Sequence, residues 1–286
     1  MELFFDMLRS IVYGVIEGIT EWLPISSTGH MILAEQVLKF SLSAEFMEMF
    51  RVVIQLGAIL AVVVLYFKKL WPFCSDNGRD SGLAKHIRWP VMRLWGKILV
   101  ACLPAAVLGL LLDDWMDAHL YNSVVVAIML IVYGIAFILI ERRPRVPTTT
   151  KLSRITYKQA IIVGAWQVLA LIPGTSRSGA TIIGGLLCGM SRACASQFTF
   201  FLAIPVMAGA SGLKLVKFLA KGGVFTLGEV GTLLVGCIVA FVVSILAIRF
   251  LMDYVKKHTF TVFGWYRIAL GILVLGIWAL QSFVLA

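Results

Sequence analysis

The chain is 286 residues long, 60% hydrophobic and only 14% charged, with a formal net charge of +10. Soluble domains carry about 25% charged residues, so this composition excludes an ordinary water-soluble globule. The positive excess is not a nucleic-acid footprint either, because the Lys and Arg residues fall between apolar runs, where membrane proteins place their cytoplasmic loops.

Apolar runs near twenty residues recur at Val52–Phe67, Val124–Ile140, Val230–Leu251 and Ala269–Leu285. Each is about the length a helix needs to cross the roughly 30 Å hydrocarbon core, and the short alternating segments of a membrane barrel are absent. No cleavable leader is expected, since Glu2 and Asp6 precede the first apolar run without a basic segment. The five cysteines, at 74, 102, 188, 194 and 237, form no C-x-x-C pair and are expected to be small buried hydrophobes.

Spans are predicted at about 50–67, 97–112, 122–140, 197–213, 229–250 and 263–285. Two basic loops, Lys68–Lys97 (with Lys69, Arg79, Lys85, Arg88 and Arg93) and Glu141–Lys158 (with Arg142, Arg143, Arg145, Lys151 and Arg154), mark the cytoplasmic side. The acidic connector "DDWMDAHLYN" then lies outside, and the turn "RFLMDYVKKH" inside. The turn Lys214–Lys221 falls outside despite three lysines, against the charge rule. Two apolar segments remain, about 3–38 and 159–190, each interrupted by proline and hydroxyl residues. They are expected to be re-entrant helix-loop-helix hairpins, because irregular backbone at membrane depth needs protein or water to satisfy it.

The leftover segments resemble one another. "GVIEGITEWLPISSTGHMI" aligns with "GAWQVLALIPGTSRSGATI" with one-residue slips, pairing Gly14 with Gly164, Glu17 with Gln167 and Pro24 with Pro173. Three spans follow each, so the halves, about 1–145 and 155–286, have opposite orientations. The fold class expected is a single all-α polytopic domain over 1–286, with six transmembrane helices and two re-entrant hairpins in an inverted-topology repeat. The halves differ in chemistry: Glu17 and Glu21 face Gln167 and an apolar residue, whereas Arg177 belongs to the second half alone.

Glu17 and Glu21 are four residues apart and share a helix face, which Pro24 ends. Ser26, Ser27 and Thr28 offer caps to a following helix, whose start is an anion site. The second tip repeats this with Ser176, Ser178 and Thr181 around Arg177, a side chain able to grip a phosphate with two donors. A phosphorylated ligand is implied. At about 4 Å and an effective dielectric near 20, a carboxylate repels each phosphate charge by about 4 kcal/mol. The glutamates must therefore be protonated, be bridged by a divalent cation, or sit behind a nucleophile, and all three serve hydrolysis. His30 completes the polar cluster. Patterns such as Gly14–Gly18 and Gly185–Gly189 permit close packing within a chain or in a homo-oligomer.

"EGITEWLPISSTGH" and "PGTSRSGAT" resemble the two signature motifs of the undecaprenyl-pyrophosphate phosphatase (bacitracin-resistance) family, and "VVIQLGAILAVV" and "GWYRIALG" extend the likeness along nearly the whole chain. The resemblance implies removal of one phosphate from undecaprenyl pyrophosphate at the outer face of a bacterial inner membrane, with membrane lipids as the other partners and no nucleic acid. It implies a catalytic set of Glu17, Glu21, Ser27, His30 and Arg177, with Ser26, Thr28, Ser176, Ser178 and Thr181 on the phosphates. Ser27 is the expected nucleophile, Glu21 or His30 its base, and a magnesium or calcium ion on Glu17 and Glu21 the expected cofactor. A histidine nucleophile or metal-bound water is the mechanistic rival, although His86, His119 and His258 are all expected in loops or turns. A prenyl-phosphate transporter or flippase is the rival of another class, since inverted repeats with broken helices also build transporters.

Overall fold

Apolar runs separated by charged segments become long helices in the computed structural model of the chain. It describes residues 2–38, 40–75, 85–143 and 146–284, with the backbone alone at Asp113, Asp114, Asp117, Phe283 and Val284. Arg79 and Arg145 of the basic loops lie outside the described residues.

In chain order the helices are α1 (Glu2–Thr20), α2 (Ser27–Val37), α3 (Ala44–Val53), α4 (Gln55–Leu70), α5 (Trp89–Leu120) and α6 (Ser123–Glu141). After a short loop come α7 (Tyr157–Val168), α8 (Arg177–Leu187), α9 (Arg192–Ala220), α10 (Leu227–Lys257) and α11 (Thr261–Val284). Among the described residues six segments are long and apolar enough to cross a membrane: α3 with α4, α5 as far as Leu112, α6, α9, α10 and α11 as far as Ser282. Large aliphatic side chains such as Leu103, Leu111, Leu246 and Ile272 point outward and exposed, as lipid-facing residues do. Side chains fix the starts. Asn122 caps Val125 N, and the pairs Thr156/Gln159 and Thr226/Glu229 each close a reciprocal capping box.

The long helices outrun the spans predicted from hydropathy. Residues 113–120 of the acidic connector form the last turns of α5, so His119 is helical rather than in a turn. Lys214 and Lys217 lie on α9, and the chain turns only from Lys221. Residues 249–257 of "RFLMDYVKKH" continue α10, and the chain reverses over His258–Phe260. Once nucleated, a helix extends cheaply into the headgroup layer, where pairs such as Lys256–Asp253 (2.7 Å) form along its surface.

The contacts between helices come in matched sets. α1 packs along α10 as α7 packs along α5; α4 meets α10 as α9 meets α5; and α6 lies against α11. Both hairpin helices approach their partners through a glycine. A carbon added to Gly14 would sit 2.7 Å from the Gly236 carbonyl oxygen, and one on Gly164 would sit 2.3 Å from that of Ala101. Where α6 crosses α11, Gly134 and Gly264 face each other's carbonyl oxygens in the same way, at 2.7 Å. The Gly14–Gly18 pattern thus serves packing within the chain.

Candidate active site

Each interrupted segment folds as a helix, a tight turn and a second helix, and the turns meet. Helix α1 ends at Thr20, although Glu21 N still donates to Glu17 O at 3.1 Å. Ser26 then takes φ 73° and ψ 106° and caps α2, its Oγ accepting from Gly29 N. Ser176 takes φ 70° and ψ 122° and caps α8, its Oγ accepting from Gly179 N. Among the described residues these two serines are the only non-glycine residues with positive φ. Such backbone strain is retained where the surrounding structure demands it, typically at functional sites.

The caps set the correspondence between tips. Ser26 matches Ser176, Gly29 matches Gly179 and Glu17 matches Gln167, all at an offset of 150 (176 − 26), so the one-residue slip is confined to the prolines. Ser27 and Arg177 therefore occupy the same position, the first residue of their helices. Both reach Glu21. Ser27 Oγ donates to Glu21 Oε2 at 3.2 Å, while Arg177 Nε and Nη2 donate to Glu21 Oε1 at 3.1 and 3.0 Å. The ion pair is largely buried, with 11% of the Arg177 side chain and 8% of that of Glu21 exposed.

Supporting contacts hold this centre in place. Arg177 Nη1 donates to the Thr199 carbonyl at 2.9 Å, and the guanidinium lies 5.9 Å from the centre of the Trp22 ring. Thr199 Oγ1 donates to Thr181 Oγ1 (2.9 Å), and Thr181 donates in turn to the Arg177 carbonyl (2.8 Å). Ser176 and Ser178 share a hydrogen bond of 3.1 Å, and Ser178 also donates to the Leu23 carbonyl of the other tip at 3.4 Å. Glu17 is buried at 1% exposure, and its Oε1 has no hydrogen-bond partner. Thr28 sits half-buried in the first turn of α2.

A scan of family models matches residues 10–273 to the bacitracin resistance protein BacA family. The chain belongs to the BacA family. Among curated relatives, it is 61% identical to an undecaprenyl-diphosphatase of Enterococcus faecalis over 96% of this chain and 99% of that one. It is 56% identical to the undecaprenyl-diphosphatase of Streptococcus gordonii, over 98% of both chains. A third of that name, from Lactococcus lactis subsp. cremoris, is 56% identical over 98% of this chain and 99% of its own length.

In this BacA chain the residues singled out from sequence lie on the two tips or within a turn of them, and His30 makes its own contacts there. Its Nδ1 meets the Ser26 carbonyl at 2.7 Å and its Nε2 meets the Tyr266 hydroxyl at 2.7 Å, with the two rings stacked. A carbonyl only accepts, so Nδ1 carries a proton, and the Tyr266 hydroxyl is the partner of Nε2. Both nitrogens are thus engaged away from Ser27.

A second cation, Arg267, not singled out from sequence, reaches both tips. Arg267 comes from α11, is fully buried, and donates to Pro24 O of the first tip at 3.2 Å. It also donates to Gly174 O (2.9 Å) and Thr175 O (2.8 Å) of the second. Longer bonds of 3.5 Å reach Met129 O and Leu130 O, and Tyr133 lies beneath the guanidinium. Carbonyl dipoles, rather than a carboxylate, solvate this charge. The available signal was an arginine inside the apolar run "GWYRIALG", where an ionised side chain is expensive and therefore functional by default.

Proposed function

We propose that the chain is an undecaprenyl-diphosphate phosphatase, converting undecaprenyl pyrophosphate to undecaprenyl phosphate and inorganic phosphate, which recycles the lipid carrier of envelope polymers. The observation that carries this reading is Glu21, whose two oxygens hold Ser27 and Arg177 from opposite tips. The names of the relatives supply the substrate.

Ser27 Oγ attacks the terminal phosphorus as its proton passes to Glu21 Oε2, and the bridging P–O bond breaks to release undecaprenyl phosphate. Glu21 passes that proton to the departing undecaprenyl phosphate. A water then attacks the phosphoserine phosphorus, giving its proton to Glu21, which returns it to Ser27 Oγ as the P–Oγ bond breaks and inorganic phosphate leaves. Three donors of Arg177 are committed to Glu21 and Thr199, and the remaining guanidinium hydrogens serve the transferring phosphoryl oxygens. The uncapped amides of Ser27 and Thr28 at the head of α2 add to that field. His30, pinned by Ser26 and Tyr266, orients the tip. Ser176, Ser178 and Thr181 shape the opposite wall.

Among the described residues no three His, Cys, Asp or Glu side chains cluster to hold a metal ion, so a divalent cation, magnesium or calcium, would rest on Glu17 Oε1, the unpartnered buried oxygen, and take its remaining oxygens from the diphosphate. When bound it would neutralise charge on the diphosphate.

The segments α1–α2 and α7–α8 are read as re-entrant hairpins of an inverted repeat, supported by the shared serine caps, the constant offset and the paired helix contacts. The basic loops support a cytoplasmic α6–α7 connection in a bacterial inner membrane, with the site open to the outside. The same turnover is the source of the bacitracin resistance for which the family is named.

The decisive measurement is release of inorganic phosphate from undecaprenyl pyrophosphate by the purified protein in detergent. A transporter has no second compartment there and releases none. Sidedness is tested in a background without the native cysteines. Leu227→Cys, 92% exposed, should label from outside intact cells, and Val146→Cys, 91% exposed, only in inverted vesicles. The reverse pattern overturns the topology.

A further inference from the structure

A second charged crevice lies away from the tips, where the end of α6, the α8–α9 connection and the end of α10 converge. It has a volume of about 360 Å³ and is lined by Glu141, Arg143, Ser191, Arg192 and Lys256, among others. Its charges do not cancel. Glu141 is spent, accepting from Arg192 Nε (2.8 Å) and Nη2 (2.5 Å) and from the Phe260 amide (3.1 Å). Arg192 keeps Nη1 without a protein acceptor among the described residues. Arg143 is exposed, and its guanidinium makes no hydrogen bond or ion pair among the described residues. Among the described residues Lys256 pairs only with the exposed Asp253.

The wall behind these cations is the start of α9, where Ser191 caps Cys194 N and leaves the amides of Arg192 and Ala193 without a partner among the described residues. A hollow of about 250 Å³ adjoins, sharing Ile140 and Arg143 and lined otherwise by Leu139 and Leu187. Leu139 is exposed on the lipid-facing surface of α6. Cations at the interface with an apolar channel directly behind them match an amphiphile: an anionic head in the crevice and an acyl chain along Leu139 and Leu187. Basic pockets between transmembrane helices take anionic lipid headgroups in this way. The other charged crevice, at the far end of α9, sets Lys214, Lys217 and Lys221 against Glu45, Glu48 and Glu229, and offers no net attraction for an anion.

We infer that the Arg143–Arg192–Lys256 crevice is a binding site for an anionic phospholipid headgroup, separate from the site that binds the diphosphate. It does not depend on the phosphatase reading. The test titrates short-chain phosphatidylglycerol, or phosphatidylcholine, into the detergent-solubilised full chain and counts bound lipid by native mass spectrometry. Phosphatidylglycerol should bind saturably in preference to phosphatidylcholine, and excess inorganic phosphate should not displace it. Each cation near a membrane surface contributes about fivefold in affinity, so Arg143→Ala with Lys256→Ala should weaken binding about 25-fold at low salt. Arg143→Ala alone, which removes an unpartnered exposed side chain and leaves the fold intact, should weaken it about fivefold. Equal retention of both lipids, unchanged affinity in the variants, or complete displacement by inorganic phosphate each overturns the assignment.

Discussion

The tip at residues 21–29 and the tip at 171–179 hold a serine in the same left-handed conformation, cap a helix with it, and begin that helix at the next residue. That next residue is Ser27 in one and Arg177 in the other. The same backbone presents a hydroxyl from one side and a permanent cation from the other, and the Glu21 carboxylate joins them. Duplicating the scaffold supplies geometry, and divergence of single positions supplies the chemistry. A nucleophile and a charge stabiliser must approach one phosphorus from different directions, which the proposed inverted repeat would achieve directly.

Removing the nucleophilic half of the pair should have the largest effect. Ser27→Ala should lower turnover at least about 10³-fold, the scale of nucleophile removal, with expression intact because only a half-buried hydroxyl is lost. Phosphate release above a tenth of the original rate would dismiss Ser27 as the attacking group. Arg177→Lys should come next, with a loss of about 10²-fold or more, nearly that of Arg177→Ala. An ammonium keeps the charge but not the fork that spans Glu21 Oε1 and the Thr199 carbonyl. Normal turnover by the lysine variant would show that a point charge suffices.

Arg267 ties the tips together without belonging to either. Arg267→Lys should cost about tenfold in turnover and lower the melting temperature, because buried carbonyls left unpaired cost about 1–3 kcal/mol each. An unchanged melting temperature would mean that Pro24 O and Thr175 O find other donors, and the stitch would be dispensable.

What was legible from sequence follows from what each signal needs. Six spans can be read from composition, since the bilayer imposes length and apolarity on every crossing. The helix ends were misjudged, because beyond the hydrocarbon core hydropathy falls while backbone hydrogen bonding continues, as at residues 113–120. Glu17, Glu21, Ser27 and Arg177 stood out because polar groups clustered in apolar surroundings demand a reason. The contact of His30 with Tyr266 joins residues 236 apart in sequence, and nothing local announces it. Arg267 did have a local signal, its charge, but its partners are backbone carbonyls, which no sequence pattern displays.

The smallest predicted effect is the most discriminating between the halves. Gln167 corresponds to Glu17, is 2% exposed, and has neither amide atom hydrogen-bonded. If the second half gave up this position when it specialised as the cation side, Gln167 carries only a desolvation cost. Gln167→Leu is close in volume and removes both unpaired polar atoms, so it should leave turnover within about twofold and stabilise the fold by about 1–3 kcal/mol. The check is the melting temperature in detergent beside the rate of phosphate release. Glu17→Leu, the matching change in the first half, should instead lower turnover far beyond twofold, though less than Ser27→Ala does, because a carboxylate proposed to lie beside the diphosphate is lost. Should Gln167→Leu also inactivate the protein, its amide must meet the substrate. The second tip would then be a full partner in the chemistry rather than a support for Arg177.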